Sequence, residues 1–133
     1  MFRKVAFSVL TIGWLWTGEA SATASMSCSG IDCDAGLEMV FGAGPVPNIL
    51  DMGVSVGDRV ISTRPGEGIE EGVIGQAYFD GELTRIEMMD DQVTTKLVTI
   101  RILHVRDLEE DDFQIGYIQI ENDHPVAVKC DGP

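Results

Sequence analysis

The chain has 133 residues, with 9 basic and 22 acidic side chains and a net charge of −13. That length supports one domain with one core. A field this negative repels phosphate backbones and anionic headgroups, which argues against nucleic acid or a membrane surface as partner; a basic protein or cations are what it attracts.

Met1–Ala24 read as a cleavable secretory signal. Arg3 and Lys4 form a basic start, Val5–Trp16 is a short apolar run, and two A-x-A sites follow at Ala20-Ser21-Ala22 and Ala22-Thr23-Ala24. The run falls short of the roughly 20 apolar residues that a membrane span needs. The expectation is an exported protein, periplasmic or secreted, with no membrane span. Cleavage after Ala24 leaves 109 residues, removes Trp14 and Trp16, and takes the net charge from −13 to −14. Residues 25–36 then form an N-terminal cysteine-containing segment, and residues 37–133 an all-β domain.

In an oxidising compartment two of Cys28, Cys33 and Cys130 are expected to pair. Sequence leaves all three pairings open. Closing Cys33 to Cys130 spans about 97 residues, for which loop-closure entropy gives about 4–5 kcal/mol. Cys33–Cys130 is therefore the favoured bridge, with Cys28 left as a free or intermolecular thiol.

Beyond the signal no window has helical periodicity; short stretches rich in Val, Ile, Thr, Phe and Tyr alternate with Gly, Pro, Asn and Asp. The first strand is Leu37–Phe41, ended by Gly42–Asn48 with its two prolines. Ile49–Val56 is ambiguous. Arg59–Thr63 is a strand, and Arg64–Glu71 is a mobile connection. Gly72–Phe79 and Glu82–Met89 flank Asp80-Gly81, which predicts a hairpin with a type I′ turn. Its register sets Phe79 opposite Glu82, Ala77 opposite Thr84 and Val73 opposite Met88, so that Val73, Ala77, Phe79, Ile86 and Met88 share the core face. Thr94–Val105 is the longest strand, and Ile102-Leu103 breaks its alternation, which predicts a bulge there. Phe113–Glu121 changes its apolar side near Gly116, which predicts a bulge or corner. Val126–Cys130 is last. About seven short strands predict a single small antiparallel β-sandwich or β-barrel.

No catalytic constellation is visible. His104 and His124 have no G-x-S-x-G motif or nearby cysteine to work with, and His104 reads as an ordinary strand residue. Asp90-Asp91, Glu109–Asp112 and Asp32-x-Asp34 lack the spacing of a calcium loop, and the histidines and cysteines lack zinc-ligand spacing. No metal or other cofactor is expected. Asn48–Ser55 resembles the Asp-Thr/Ser-Gly loop of retroviral-type aspartic proteases, but Met52 stands where that family has a hydroxyl, and the stretch reads as a turn.

Cys33-Asp34-Ala35-Gly36 opening a strand, the size of the chain and the C-terminal Cys130 resemble the periplasmic C-type lysozyme inhibitors. That resemblance implies a small antiparallel barrel closed by a disulfide. The Ser-Gly-containing loop which that family inserts into the lysozyme cleft has no match here, and Ser62–Gly66 does not supply one. The expected function is non-enzymatic: an exported, acidic binding protein that engages a basic envelope or extracellular protein, through its acidic surface and the loops Gly42–Asn48 and Arg64–Glu71. The alternatives are a calcium-stabilised extracellular β domain, a lysozyme-type inhibitor and a small carboxylate-dependent hydrolase. Asp51, Asp90, Asp111 and His104 are the side chains that would have to converge for the last.

Overall fold

Apolar residues spaced two apart build strands along the whole described chain. The computed structural model describes residues 23–43, 48–106, 108–109 and 111–132. The first 22 residues of the expected signal lie outside them. The strands are β1 (Ala24–Gly30), β2 (Ala35–Gly42), β3 (Asn48–Val56), β4 (Arg59–Ser62), β5 (Glu70–Glu71), β6 (Val73–Phe79), β7 (Leu83–Met89), β8 (Lys96–Arg106), β9 (Asp112–Ile120) and β10 (Val126–Asp131). The all-β expectation is met, with ten strands in place of about seven.

The three additional strands have physical reasons. In β1, Ser25, Ser27 and Ser29 face out while Met26 and Cys28 face in, so only two apolar residues mark a strand in what reads as a serine-rich tail. In β3, Met52 and Val54 are buried between small or polar neighbours, and the stretch read as a turn is extended strand. The two residues of β5 are both glutamates, held by parallel pairing with β4 rather than by any apolar content.

The sheet order is β5-β4-β3-β2-β1-β10-β9-β8-β7-β6. Two meanders, β1–β4 and β6–β10, therefore meet at the antiparallel β1–β10 seam. They meet again where β5 passes into β6 through Gly72 alone, whose N–H donates to the Ser62 carbonyl at 2.9 Å. One continuous stretch thus pairs with β4 at its start and with β7 beyond, which nearly closes the sheet into a barrel. Gly72 is buried, and a Cβ there would crowd Met88 of one wall and Ile61 of the other.

One cluster fills the interior: Leu37, Met39, Met52, Val54 and Ile61 from the first meander, and Ile86, Met88, Val98, Ile100, Ile102, Ile118 and Val128 from the second. Phe41 and Phe79 meet edge to face across it, centroids 5.4 Å apart. Cys28 lies opposite Cys130 in the seam, and the two form the disulfide. This corrects the favoured Cys33–Cys130 bridge. Cys33 falls in the exposed turn after β1, where its thiol is free and donates to the Ala127 carbonyl at 3.6 Å.

The β6–β7 hairpin forms, but two residues out of the predicted register. Phe79 pairs with Thr84 and Ala77 with Ile86, and beyond the irregularity at Gly75 the offset falls to one, with Ile74 opposite Met88. The Asp80 carboxylate accepts from the N–H groups of Glu82 (2.7 Å) and Leu83 (2.6 Å), which centres the turn on Gly81-Glu82. Positive φ angles occur elsewhere, so the turn is not type I′. A shift of two keeps Phe79 on the core face, but Ala77, expected there as well, is exposed. The irregularity at Gly75 then turns Ile74, not Val73, onto the core.

The expected bulges at Ile102-Leu103 and Gly116 are absent. Pairing runs without a shift from Val98↔Ile120 to Arg106↔Asp112. The β7–β8 register slips instead opposite Met88 and Met89, where Leu97 and Val98 are buried in succession. The alternation looked broken because β8 and β9 carry apolar side chains on both faces. Gly116 answers a different need: a Cβ there would overlap the Arg101 backbone of β8.

Candidate functional site

The turn between β6 and β7, the lower part of β8, the start of β9 and the end of β10 lie together at one end of the barrel. They form an open cleft of about 860 Å³, whose walls include Glu82, His104, Asp112, Gln114 and Asp131. Thr84, the one fully buried polar side chain among the described residues, shares a hydrogen bond of 3.0 Å with His104 Nε2 just inside this mouth. The His104 N–H donates to the Glu82 carbonyl at 2.8 Å, tying β8 to the hairpin. Opposite His104, Gln114 donates through Nε2 to the Gly132 carbonyl at 2.6 Å. Its Oε1 is buried and accepts nothing. Arg106, the cation of the cleft lining, is held by Asp112 at 3.0 Å. The polar lining is thus dominated by acceptors.

The Asp80 carboxyl at the hairpin tip lies below its ordinary value of 3.8, because the Glu82 and Leu83 amides and the Tyr78 hydroxyl donate to its charged form.

The outer lip of the mouth continues onto the wall of β7, β8 and β9. Register places Leu83, Leu103, Ile115 and Lys129 in one outward row, with Val105 and Phe113 in the next row toward the mouth. Leu103, Val105, Phe113 and Ile115 are 41–52 % exposed. On the other side of the apolar row lie Arg85, Arg101 and Tyr117. Arg85 bonds Glu87 at 2.8 Å, which holds the Glu87 carboxyl below its ordinary value. Contiguous apolar exteriors of this kind mark interaction surfaces.

The residues singled out from sequence do not gather here. Asp51 points outward from β3, accepts from the Thr63 hydroxyl at 2.9 Å and pairs with Arg64 at 2.7 Å. Asp90 caps the β7–β8 turn, accepting from the Thr94 N–H and hydroxyl at 2.6 Å each. Asp111 precedes β9, and His124 is exposed in the turn before β10. Only His104 of that set lines the mouth. Among the described residues no three His, Cys, Asp or Glu side chains are grouped to hold a metal ion. No helix among them is long and apolar enough to cross a membrane. Residues 44–47 of the loop Gly42–Asn48 lie outside the described chain, and Arg64–Glu71 ends in β5, where Glu70 pairs with Arg59 at 2.8 Å.

Sequence reasoning missed the mouth because its lining comes from the ends of four strands and a turn. The apolar wall had a signal, the double-faced apolar content of β8 and β9. No protein-family model, curated protein or solved structure matches the chain.

Proposed function

We propose that this is an exported, non-enzymatic binding protein whose acidic mouth receives a cationic side chain of a basic envelope or extracellular protein. The observation that carries the reading is the acceptor-rich lining: the carboxylates of Glu82 and Asp131, beside an Asp112 already paired with Arg106, with a buried Gln114 Oε1 that no donor satisfies. A Lys or Arg side chain brings donors and positive charge, of which Arg106, already held by Asp112, is the lining's own source. The net charge of −13 would steer a basic partner toward it from a distance. Export is supported by the Met1–Ala24 pattern and fits the Cys28–Cys130 disulfide, a bond that persists in oxidising compartments. Dispersal of Asp51, Asp90 and His104 over separate elements supports a binding rather than a catalytic role.

Calorimetric titration with an arginine-rich peptide and with a lysozyme tests this. Binding is expected at low salt, weakening as salt rises, and reduced about tenfold by Glu82→Gln with Asp131→Asn, the scale for loss of charged partners. Absence of binding at low salt, or binding that ignores both substitutions, overturns the reading. The activity of the titrated lysozyme separates inhibition from simple binding.

A further inference from the structure

The barrel stays open between β3 and β6. At Gly72 the two ends of the sheet touch through the Ser62 carbonyl, but β4 ends at Ser62 while β6 runs on to Phe79 paired with β7 alone. Across the gap lies the first part of β3, Asn48–Asp51, which pairs with β2 and not with β4. Phe41, opposite Ile49 in that ladder, meets Phe79 at the gap's far end. The Asp80 N–H donates to the Leu83 carbonyl, so by alternation Phe79 and Ala77 turn their N–H and C=O groups away from β7, into the gap. Ala77 shares a side with the buried Ile86 and is exposed all the same, because no strand flanks it there. Edge strands are commonly guarded by lysine, proline or inward charge. In a chain of net charge −13, Val73–Phe79 has no charged residue and no proline. Its one irregularity, at Gly75, leaves Gln76–Phe79 in regular register.

We propose that this gap takes an extended segment of a basic partner as an added strand. The segment lies along Gln76–Phe79, and its backbone bonds the groups that Ala77 and Phe79 leave open. Its inward side chains are apolar, because they join Ile49, Ile74 and Phe79 at the half-buried margin of the core. Its ends are basic. Glu71 stands beside the closed end of the gap and Asp80 just beyond Phe79, both exposed, and among the described residues neither forms an ion pair. The cations nearby are already held, Arg59 by Glu70, Arg64 by Asp51 and Arg85 by Glu87. Lysine or arginine at each end of the segment therefore supplies the opposite charge. A second copy offering its own β6 antiparallel would set Glu71 against Asp80, like charge against like. At its far end the gap reaches the mouth, since Gly81 and Glu82 of the hairpin tip line that cleft. The proposal rests on the reading above for the basic character of the partner, and names the conformation in which that partner binds.

Calorimetry and amide exchange with a synthetic peptide of alternating valine and threonine, carrying two lysines at each end, test the proposal. Binding is expected to slow exchange at Ala77 and Phe79 about tenfold or more. The same peptide N-methylated along its backbone keeps its charge but cannot pair, and should bind about tenfold more weakly. Ala77→Pro removes a donor from the open edge, and Glu71→Lys reverses the charge at the closed end; each should weaken binding about tenfold. Both positions are exposed, and an unchanged thermal melt shows that folding is intact. Where Ala77→Pro does not fold, Glu71→Lys and the N-methylated peptide decide. Equal affinity of the two peptides, or no added protection at Ala77 and Phe79, overturns the proposal. So does binding that ignores both substitutions. Failure of the mouth reads differently: an arginine-rich peptide ignores Glu82→Gln with Asp131→Asn, while protection at Ala77 and Phe79 persists. Changes confined to His104 and Gln114 overturn the added strand and leave the mouth standing.

Discussion

The two walls of the barrel have the same inside and opposite outsides. Over β1–β3 the outward positions are mostly small or polar, Ser25, Ser27, Ser29, Gly36, Glu38, Asp51, Gly53 and Ser55, with Val40 and the exposed Leu50 as apolar exceptions. Over β8 and β9 they include Leu103, Val105, Phe113, Ile115 and Tyr117. Inward positions on both walls are Met, Ile, Leu and Val at or near complete burial. The first wall pairs and packs with an exterior that is mostly small or polar, so its folding rests on the inward set. The larger apolar exposure on the second wall is the difference between the two exteriors.

The largest effect is expected where the walls join. Removing the disulfide with Cys28→Ser and Cys130→Ser frees a loop of 102 residues, for which chain entropy predicts a loss of about 5 kcal/mol. Denaturant unfolding of the oxidised and substituted proteins measures it. Cys33→Ser should leave the midpoint unchanged. Equal losses from Cys33→Ser and Cys28→Ser would undo the seam assignment.

Interior and exterior substitutions then sharpen the contrast. Met39→Ala on the first wall and Ile100→Ala on the second should each cost about 2–5 kcal/mol, since both sit in one filled core. Leu103→Ser should change unfolding free energy by no more than about 0.5 kcal/mol. A Leu103→Ser cost as large as that of Ile100→Ala would mean that the outer row is structural after all.

Much of this asymmetry was legible in the residues, though not in the form first read. Val98, Ile100 and Ile102 announced an inward face, and it is the buried face of β8. Leu103, Ile115 and Phe113 were equally visible, but two-sided apolar strands were read as bulges, since alternation normally marks one buried face. Strand β1 was hidden because serine at every outward position gives a strand little apolar signal. The Cys28–Cys130 pair was hidden with it, for pairing depends on register across the seam rather than on loop length. The mouth was illegible for another reason: Glu82, His104, Gln114 and Asp131 are far apart in the chain, and only closure brings them together.

The smallest expected effect distinguishes the walls by their turns. On the second wall, carboxylates hold both hairpins of β7. Asp80 is lowered from 3.8 chiefly by the Glu82 amide and then the Leu83 amide; Asp90 is lowered from 3.8 chiefly by the Thr94 hydroxyl, then by the Thr94 and Thr95 amides. On the first wall, the β1–β2 turn uses Asp32 at φ 55° and the β3–β4 turn Gly57 at φ 57°, conformations that carry no such proton dependence. A carboxyl whose folded value is depressed contributes stability above its unfolded value, and that contribution is lost as pH falls through the folded one. Acidification through 3.8 and below should therefore loosen the β6–β7 and β7–β8 turns first. Amide exchange at Leu83 and Thr94 should accelerate there, before exchange at Gly57, whose N–H donates to the Asp34 carbonyl at 2.9 Å. Asp80→Asn should abolish the acid response at Leu83 while leaving that at Thr94. If Gly57 exchanges as early as Leu83, the turns are not what separates the walls, and the difference lies in their exteriors alone.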